Sequence, residues 1–495
     1  MGLHEGLATT RRALRFRFRG REVELDRFSP RAMLLDWLRE EAGAKGTKEG
    51  CAEGDCGACT VVLARLRGGK LIYEAANACI LLLGQVDGAE LITIEDLADG
   101  DALHPVQQAM VDQHGSQCGF CTPGIVMSLF AAYHSGVAAT SASLCDQLAG
   151  NLCRCTGYRP ILSAALATCD GTRTDRFAQS DNERVAALSA LDDGRDLFVG
   201  DETAFFAAPA SLDSLAALYG KFPDATLVSG ATDVGLWITK QLRDPRRVIW
   251  LGRTAGLDAI GEGSDGALSF GARVTLSDAH PLLGRIHPDL GELMRRFGSA
   301  QVRVSGTVGG NIANGSPIGD LAPALIALGG RVALRKGDAV RKLPLEDFFI
   351  AYGKQDRAPG EFVLAVEAPL LAEGQHYRAF KVSKRFDEDI SAVMLGIRLD
   401  VAGAHIRGAR IAYGGMAATP KRAANAEAAL TGARLDDASS WSAALAALSS
   451  DFQPLTDQRA SAAYRMTVAA NVLRKALMEI AGVDAPTRIG ALHAA

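Results

Sequence analysis

All ten cysteines of this 495-residue chain lie between Cys51 and Cys169, and none follows. Cys51, Cys56 and Cys59 are spaced C-x4-C-x2-C, with Cys79 some way downstream, which is the spacing that holds a 2Fe-2S cluster in plant-type ferredoxins. Thiolates are soft ligands for iron, and Gly50, Gly54 and Gly57 let the intervening backbone curl round a cluster and aim N–H groups at its sulfurs. A structural zinc site, or four buried thiols, is the plainer alternative, although all-cysteine zinc sites favour two short paired loops. A second set follows: Cys118 and Cys121 form a C-x2-C pair, and Cys153 and Cys155 a C-x-C pair. Alone, C-x2-C also suits a redox dithiol or half a zinc site, but a second pair matches it and no βαβ pattern surrounds it. Cys145 and Cys169 fit neither set and read as packed hydrophobes. His114 is not needed by either set and reads as structural.

The elements that must position these residues differ between the two sets. Leu14, Phe16 and Phe18 alternate with arginines and, with Val23 and Leu25, predict a β-hairpin. Ser29 as a cap with Pro30 behind it predicts a helix through Trp37 and Leu38. The cysteine loop then leads into strands from Thr60, near Leu71 and near Leu91, across a Gly68-Gly69 turn. Four short helices follow, at His104 to His114, Pro123 to His134, Ser141 to Ala149 and Pro160 to Ala167, and would close over the second set. The polar stretch 170–196 predicts a mobile linker. Beyond it, β-rich runs alternate with helical stretches to about residue 370, and strands then precede helices from about Gln375 to Val483, so both parts read as α/β or α+β.

Two further loops are rich in glycine and hydroxyl residues. Leu227, Val228, Ser229 and Gly230 run into Ala231, Thr232, Asp233 and Val234, and a later stretch carries Thr307, Val308, Gly309, Gly310 and Asn311. Neither is G-x-G-x-x-G. Each follows a β-like run, so each is either a plain turn or a nest of backbone N–H groups for a phosphate.

The segments QCGFCTPG (117–124) and GNLCRCTGYRPI (150–161), placed after the ferredoxin spacing, resemble the molybdenum hydroxylases. Within them the pattern is most similar to the small, iron-sulfur and FAD subunits of bacterial xanthine dehydrogenases. The resemblance covers roughly residues 12–168 and 197–485. It implies a multidomain α+β chain: a β-grasp 2Fe-2S ferredoxin-like domain at 12–98, a four-helix 2Fe-2S domain at 99–169, the linker 170–196, a non-Rossmann α+β FAD-binding domain at 197–372 and a C-terminal α+β flavoprotein domain at 375–485. It implies two 2Fe-2S clusters, held by Cys51, Cys56, Cys59 and Cys79 and by Cys118, Cys121, Cys153 and Cys155. Both glycine loops become FAD-binding segments, with Phe297 beside the isoalloxazine, Asp320 as the acid that follows the second segment, Lys381 at the flavin, and Val363 as a backbone contact. Asp233 stands where several relatives have Glu, and Thr307 where they often have Ser.

The resemblance further implies a partner subunit carrying the molybdopterin-bound molybdenum, in a heterotetramer of two small and two large subunits, with Gln117 and Cys155 facing that cofactor across the interface. Electrons would pass from molybdenum through the two clusters to FAD and then NAD while hypoxanthine or xanthine is oxidised to urate. The substrate residues would lie on the partner, and NAD against oxygen as acceptor stays open. A sister enzyme acting on aldehydes, carbon monoxide or hydroxybenzoyl-coenzyme A is the alternative within the family, and a non-catalytic zinc-binding scaffold the alternative outside it.

Composition narrows the field. Lys and Arg number 53 against 57 Asp and Glu, a net charge of −4 that gives no general attraction for nucleic acid. No apolar run approaches the roughly 18 residues that would span a bilayer. The opening stretch MGLHEGLATTRR lacks an apolar segment before a cleavage site, so a cytoplasmic protein is expected. H-E-x-x-H and G-x-S-x-G motifs are lacking, which leaves no case for a zinc hydrolase or an α/β-hydrolase.

Overall fold

The computed structural model describes residues 10–483, 487 and 488, so the end of the last expected domain at 485 and the first nine residues lie outside the described residues. Packing divides the chain into two compact units. The first runs to Leu257 and includes Thr275–Ser277 and Gly298–Thr307, and the second takes the remainder.

The first unit begins with the expected hairpin, Leu14–Phe18 against Arg21–Leu25. Glu90–Ile92 pairs parallel with the hairpin's first strand and antiparallel with Thr60–Arg67, which pairs with Lys70–Asn77. This five-stranded sheet is the β-grasp expected from the sequence. Phe16 and Phe18 meet Trp37 edge to face at 5.3 and 5.6 Å, which anchors the crossing helix to the sheet. That helix does not start at Ser29 and Pro30: an α-turn Leu34–Asp36 passes into a π-helical turn Trp37–Glu41. The reason is tertiary. Met33 bridges Leu82, and the N–H groups of Leu34 and Leu35 bond Leu81 and Ala78, so the preceding residues are spent on strand-like pairing.

Four helices follow at Pro105–Asp112, Thr122–His134, Ser141–Leu148 and Arg159–Thr168, as the sequence predicts. Thr122–His134 is the central one, buried at nearly every position, as a helix that is apolar all round must be. Residues 170–196 are not a bare linker. They contain helices Arg176–Gln179 and Asp181–Leu191, with Phe177 2% exposed, Tyr73 hydroxyl bonded to Asp181 at 3.0 Å and Arg184 paired with Glu90. A few apolar anchors and ion pairs hold this segment, and none of them produces a periodic signal.

A four-stranded sheet, Leu197–Gly200, Phe205–Ala208, Arg247–Trp250 and Thr226–Val228 in spatial order, completes the first unit. Its Phe206, Val228, Val248 and Trp250 share one apolar core with Phe16, Trp37 and Leu82. This sheet thus packs within the first unit, which runs to Leu257.

The second unit has an antiparallel five-stranded sheet, ordered Ile260–Glu262, Leu268–Gly271, Phe362–Ala368, Arg331–Lys336 and Ala339–Pro344. A four-stranded antiparallel sheet follows: Gln375–Val382, Val393–Ala402, His405–Gly414 and Lys421–Arg422. The wholly buried helix Leu321–Leu328 packs on the two middle strands, and Ala462–Ile480 supplies Val472, Leu473 and Leu477 to their core. Among the described residues no helix is long and apolar enough to cross a membrane.

Candidate metal centres and flavin loops

The loop from Gly50 to Cys59 is built by backbone that few side chains permit: Ala52, Gly54 and Gly57 all have positive φ. A Cβ at Gly50 would sit 2.7 Å from Cys56 Sγ, so glycine leaves the room that sulfur occupies. Cys51 Sγ accepts from the N–H groups of Glu53, Asp55 and Cys56, each at 3.4 Å, and Cys51 N–H reaches Cys56 Sγ at 3.3 Å. Cys59 and Cys79, at the ends of the strands that follow, are buried. The side chains of Cys56 and Cys79, followed by backbone N–H groups, hold the Cys51 thiol far below its ordinary range. The same contacts with Cys51 push Cys56 and Cys79 up. Four thiols at the spacing described, with N–H groups aimed at the Cys51 sulfur, form the donor set that an iron-sulfur cluster needs.

In the second set Cys118 and Cys155 are exposed, Cys121 half-buried and Cys153 buried. The sulfurs of Cys155 and Cys118 lie 3.7 Å apart. Burial leads in pushing the Cys121 thiol up to about 12. Burial also works to raise Cys153, but the Thr156 hydroxyl, 3.1 Å from its sulfur, and backbone N–H groups overcome it, and that thiol falls to about 7. Cys153 N–H donates to the Tyr158 hydroxyl at 2.8 Å, with Tyr158 itself at φ 67°. These four thiols also converge from two loops, and the residues fit a second cluster. Cys145 is exposed, Cys169 is buried with its thiol 3.8 Å from the Leu129 carbonyl, and His114 is exposed on positive-φ backbone.

The two loops touch backbone to backbone. Leu152 N–H donates to the Cys56 carbonyl at 3.0 Å, one residue from Cys153. A Cβ on Gly57 would lie 2.1 Å from the Gly150 carbonyl oxygen, and one on Gly124 2.1 Å from the Gly57 oxygen. Sequence reasoning placed Gly57 in the first loop only, because nothing local announces its second neighbour.

The first flavin loop lies in the same unit. Ala231 has φ 60°, and a Cβ on Gly230 would be 1.8 Å from the Ser305 carbonyl oxygen, so the chain turns tightly against the approach to Thr307. Ser229 carbonyl accepts from Trp250 Nε1 at 3.1 Å and Gln85 Nε2 at 3.0 Å, while the buried Ser229 hydroxyl has no protein partner. Such an orphaned hydroxyl beside Gly230 suits a loop that takes a polar ligand. The helix Val234–Thr239 leaves this loop and packs on the first cysteine site: a Cβ at Gly235 would be 2.5 Å from the Ile80 carbonyl oxygen, and Lys240 reaches the Cys51 carbonyl.

The remaining candidates, Phe297, Val308, Gly309, Gly310, Asn311, Asp320, Val363 and Lys381, belong to the second unit. Val308 and Gly309 start the helix Val308–Asn314, where a Cβ at Gly309 would meet Ala272 at 2.5 Å. Asp320 is 2% exposed and binds Lys381 Nζ at 2.5 Å, with Ser391 hydroxyl donating to its other oxygen. Val363 is buried in its strand opposite Leu334, at a register shift. Arg296, next to Phe297, donates to the Phe386 carbonyl at 2.9 Å and the Ser383 hydroxyl at 3.2 Å and covers the Phe386 ring at 4.5 Å. The charged run after Lys381 is thus held by contacts that its composition does not reveal.

A third cluster escaped the sequence altogether. Asp175 Oδ2 accepts from His104 Nε2 at 2.8 Å and His134 Nε2 at 2.9 Å, all three side chains being buried. His104 Nδ1 accepts from Val106 N–H at 3.2 Å, which assigns its proton to Nε2. The arrangement is therefore two donors on one carboxylate, a lock on the segment after Asp170 rather than a set of free metal lone pairs.

Three family models match the chain: a 2Fe-2S binding domain over residues 93–166, an FAD binding domain in molybdopterin dehydrogenase over 202–371, and a CO dehydrogenase flavoprotein C-terminal domain over 378–480. Xanthine dehydrogenase from Emericella nidulans is 32% identical over 89% of this chain, and xanthine dehydrogenase 2 from Arabidopsis thaliana 33% over 81%. The chain spans about a third of these relatives, 36% and 35% of their lengths. Among solved structures, reconstituted CO dehydrogenase from Oligotropha carboxidovorans is 26% identical, with TM-score 0.52 over 56% of this chain and 96% of that one. Quinoline 2-oxidoreductase from Pseudomonas putida 86 is 25% identical, with TM-score 0.51 over 56% and 95%. The contiguous run of iron-sulfur and flavin segments, in this order and at these identities, makes the chain an iron-sulfur and flavin electron-transfer portion belonging to the molybdenum hydroxylase family.

Proposed function

We propose that this chain is the electron-transfer subunit of a xanthine dehydrogenase, carrying electrons from a molybdenum site on a partner subunit to FAD and then to NAD while hypoxanthine and xanthine are oxidised to urate. One observation carries the order of the relay: the exposed Cys118 and Cys155 end leads through the Leu152-to-Cys56 hydrogen bond to the first cysteine loop, whose Cys51 carbonyl accepts from Lys240 at the end of the helix Val234–Thr239 that follows the Gly230 loop. Cys118, Cys121, Cys153 and Cys155 hold the 2Fe-2S cluster nearer the partner, and Cys51, Cys56, Cys59 and Cys79 hold the one nearer the flavin. The FAD contacts are Leu227, Val228, Ser229, Gly230, Ala231, Thr232, Asp233 and Val234, then Phe297, Thr307, Val308, Gly309, Gly310, Asn311, Asp320, Val363 and Lys381. When bound, the clusters supply one-electron steps, and the flavin supplies the pairing of two electrons that a nicotinamide needs.

The protein's own part is to place these groups and set their potentials. The N–H groups on Cys51 stabilise added negative charge, as does the Thr156 hydroxyl on Cys153. Asp320 fixes the Lys381 ammonium in a buried position, where its charge is felt strongly. Phe120, Leu152 and Tyr158, 48%, 47% and 41% exposed around the second cysteine set, are the apolar surface that a molybdenum subunit would cover in a heterotetramer of two small and two large chains. The segment limits 12–98, 99–169, 197–372 and 375–485 are proposed as the corresponding modules, with a cytoplasmic setting.

The test is metal, sulfide and flavin analysis of the protein with whatever partner it retains, followed by reduction with xanthine and with NADH. About four iron, four sulfide and one FAD per chain, with molybdenum present and xanthine reducing the flavin, is the expected result. Zinc in place of iron, without flavin, would refute the redox assignment. The likeness to carbon monoxide and quinoline enzymes favours a second reading, a sister hydroxylase, which reduction by one of those substrates and not by xanthine would establish.

A further inference from the structure

Between the two cysteine loops lies a buried polar network completed by a side chain from outside both. Gln301, on the short helix Ala300–Ser305, is fully buried, and its Nε2 lies 2.8 Å from Asn151 Oδ1, 3.0 Å from Ser128 Oγ and 3.4 Å from Thr60 Oγ1. Asn151 Oδ1 also accepts from Ser128 Oγ at 2.6 Å, and Asn151 Nδ2 donates to the Gly57 carbonyl and Thr60 Oγ1, both at 3.2 Å. Gln301 thus gives the Asn151 carbonyl its second donor, beside the Ser128 hydroxyl.

Asn151 and Leu152 are neighbours, and so are Gly57 and Cys56. Asn151 Nδ2 binds the Gly57 carbonyl and Leu152 N–H binds the Cys56 carbonyl, so two consecutive residues of one loop are pinned to two consecutive residues of the other. A Cβ on Gly150 would lie 2.5 Å from Gln301 Oε1 and 2.3 Å from Ser299 Cβ, which shows how closely this helix is seated on the junction. At its other end the helix meets the first flavin loop, where the Ser305 carbonyl excludes any side chain at Gly230. Gln301 lies within the stretch matched by the FAD-binding model, while Ser128 and Asn151 lie within that matched by the 2Fe-2S model.

We propose that Gln301 is the positioning residue of the relay: its amide locks the register between the two cysteine loops and ties that register to the flavin loop. The proposal rests on the assignment of clusters to both cysteine sets. It follows from the cost of alternatives. Without the Gln301 donor the Asn151 carbonyl keeps only the Ser128 hydroxyl, so the amide is held less firmly, its grip on the Gly57 carbonyl weakens and the loops can shift. A shift there changes both the gap an electron must cross and the hydrogen bonds that tune each centre.

The test uses Gln301→Leu in the full chain with any partner it retains, beside the unaltered protein. Iron and sulfide are measured first, then the midpoint potential of each cluster by dithionite titration, the magnetic splitting between the two reduced clusters, and the redistribution of an electron injected by deazaflavin photoreduction. The expected result is unchanged iron, altered splitting, a shifted midpoint for at least one cluster, and redistribution slowed roughly tenfold, a typical effect of breaking one link in a coupled network. Ser128→Ala removes one acceptor while leaving Gln301 on Asn151, and should give the same changes in smaller degree; it carries the test if Gln301→Leu loses iron. Wild-type splitting, midpoints and rates in iron-replete variants would overturn this proposal alone. Absence of iron from the unaltered protein would overturn the assignment on which it rests.

Discussion

Gly57→Ala tests how rigidly the two cysteine loops are joined, and the fold provides its own control. Gly57 and Gly69 share a left-handed backbone, φ +69° and +75°, so an alanine at either pays the same conformational penalty, roughly 1–2 kcal/mol. They differ in surroundings. Nothing lies within 4 Å of a Cβ at Gly69, whereas one at Gly57 would meet the Gly150 oxygen at 2.1 Å, Asn151 Nδ2 at 2.5 Å and Asn151 Cα at 3.0 Å. Two of those atoms are backbone and cannot swing aside, so relief requires parting the loops. Overpacking of this kind costs about 1–3 kcal/mol, and losing the Leu152-to-Cys56 hydrogen bond about 1 kcal/mol more. The expected total is roughly 3–6 kcal/mol for Gly57→Ala against roughly 1–2 kcal/mol for Gly69→Ala. Unfolding of so large a chain is not a single step, so the readout should be local: visible absorbance of sulfur-bound iron followed through a guanidinium titration. Even at the lower end of the gap, about 2 kcal/mol, the iron-losing form is about 30-fold more populated in Gly57→Ala than in Gly69→Ala. Equal bleaching of the two variants would refute a rigid junction.

Cys153→Ser should roughly halve the iron content, leaving the set at Cys51 loaded, abolish flavin reduction by xanthine and spare reduction by NADH, as metal analysis and rapid mixing will show. Asp320→Asn leaves the Lys381 ammonium buried without its countercharge; a loss of about 3–5 kcal/mol and reduced flavin retention are expected, measured by denaturation and bound-flavin fluorescence. Acid should release the segment around Asp175. Burial leads in lowering His134, assisted by the charge of Arg173 and opposed by Asp175, while hydrogen bonds from His104 and His134 overcome burial to lower Asp175. Both groups bind fewer protons folded than unfolded, so their contribution is present above about pH 6.5 for the histidine and about pH 4 for the carboxylate and is lost as pH falls below each. Hydrogen exchange at helix Arg176–Gln179 should accelerate on going from neutral pH to pH about 5 after correction for intrinsic rates, and His134→Phe should remove the first part of that change.

The parts legible from sequence were those whose cause is local. Spacing alone picked out eight cysteines that do converge in two groups, and helical periodicity marked the four helices that carry the second group. Strand alternation likewise marked the hairpin at Leu14 and Arg21. What escaped depends on neighbours distant in sequence. The π turn after Asp36 follows from pairing of Met33 with Leu82, and the helices within 170–196 depend on Phe177 and on Asp175 meeting two histidines. Gln301 carries no local signal between Phe297 and Thr307, because its partners Ser128 and Asn151 lie well over a hundred positions upstream.

The cysteines also form a gradient of access, from Cys59, Cys79 and Cys153 inside, through Cys51, Cys56 and Cys121, to Cys118 and Cys155 at the surface. In air that gradient becomes an order of decay. Solvent, peroxide and alkylating reagents meet the outer pair first, so under the proposed assignment the second cysteine set would limit the shelf life of a preparation made without a partner, and the first would outlast it. Brief maleimide labelling followed by peptide mapping would register that order as a sequence of adducts among these eight, with the exposed Cys145 as reference, and a bound partner subunit should slow those at Cys118 and Cys155.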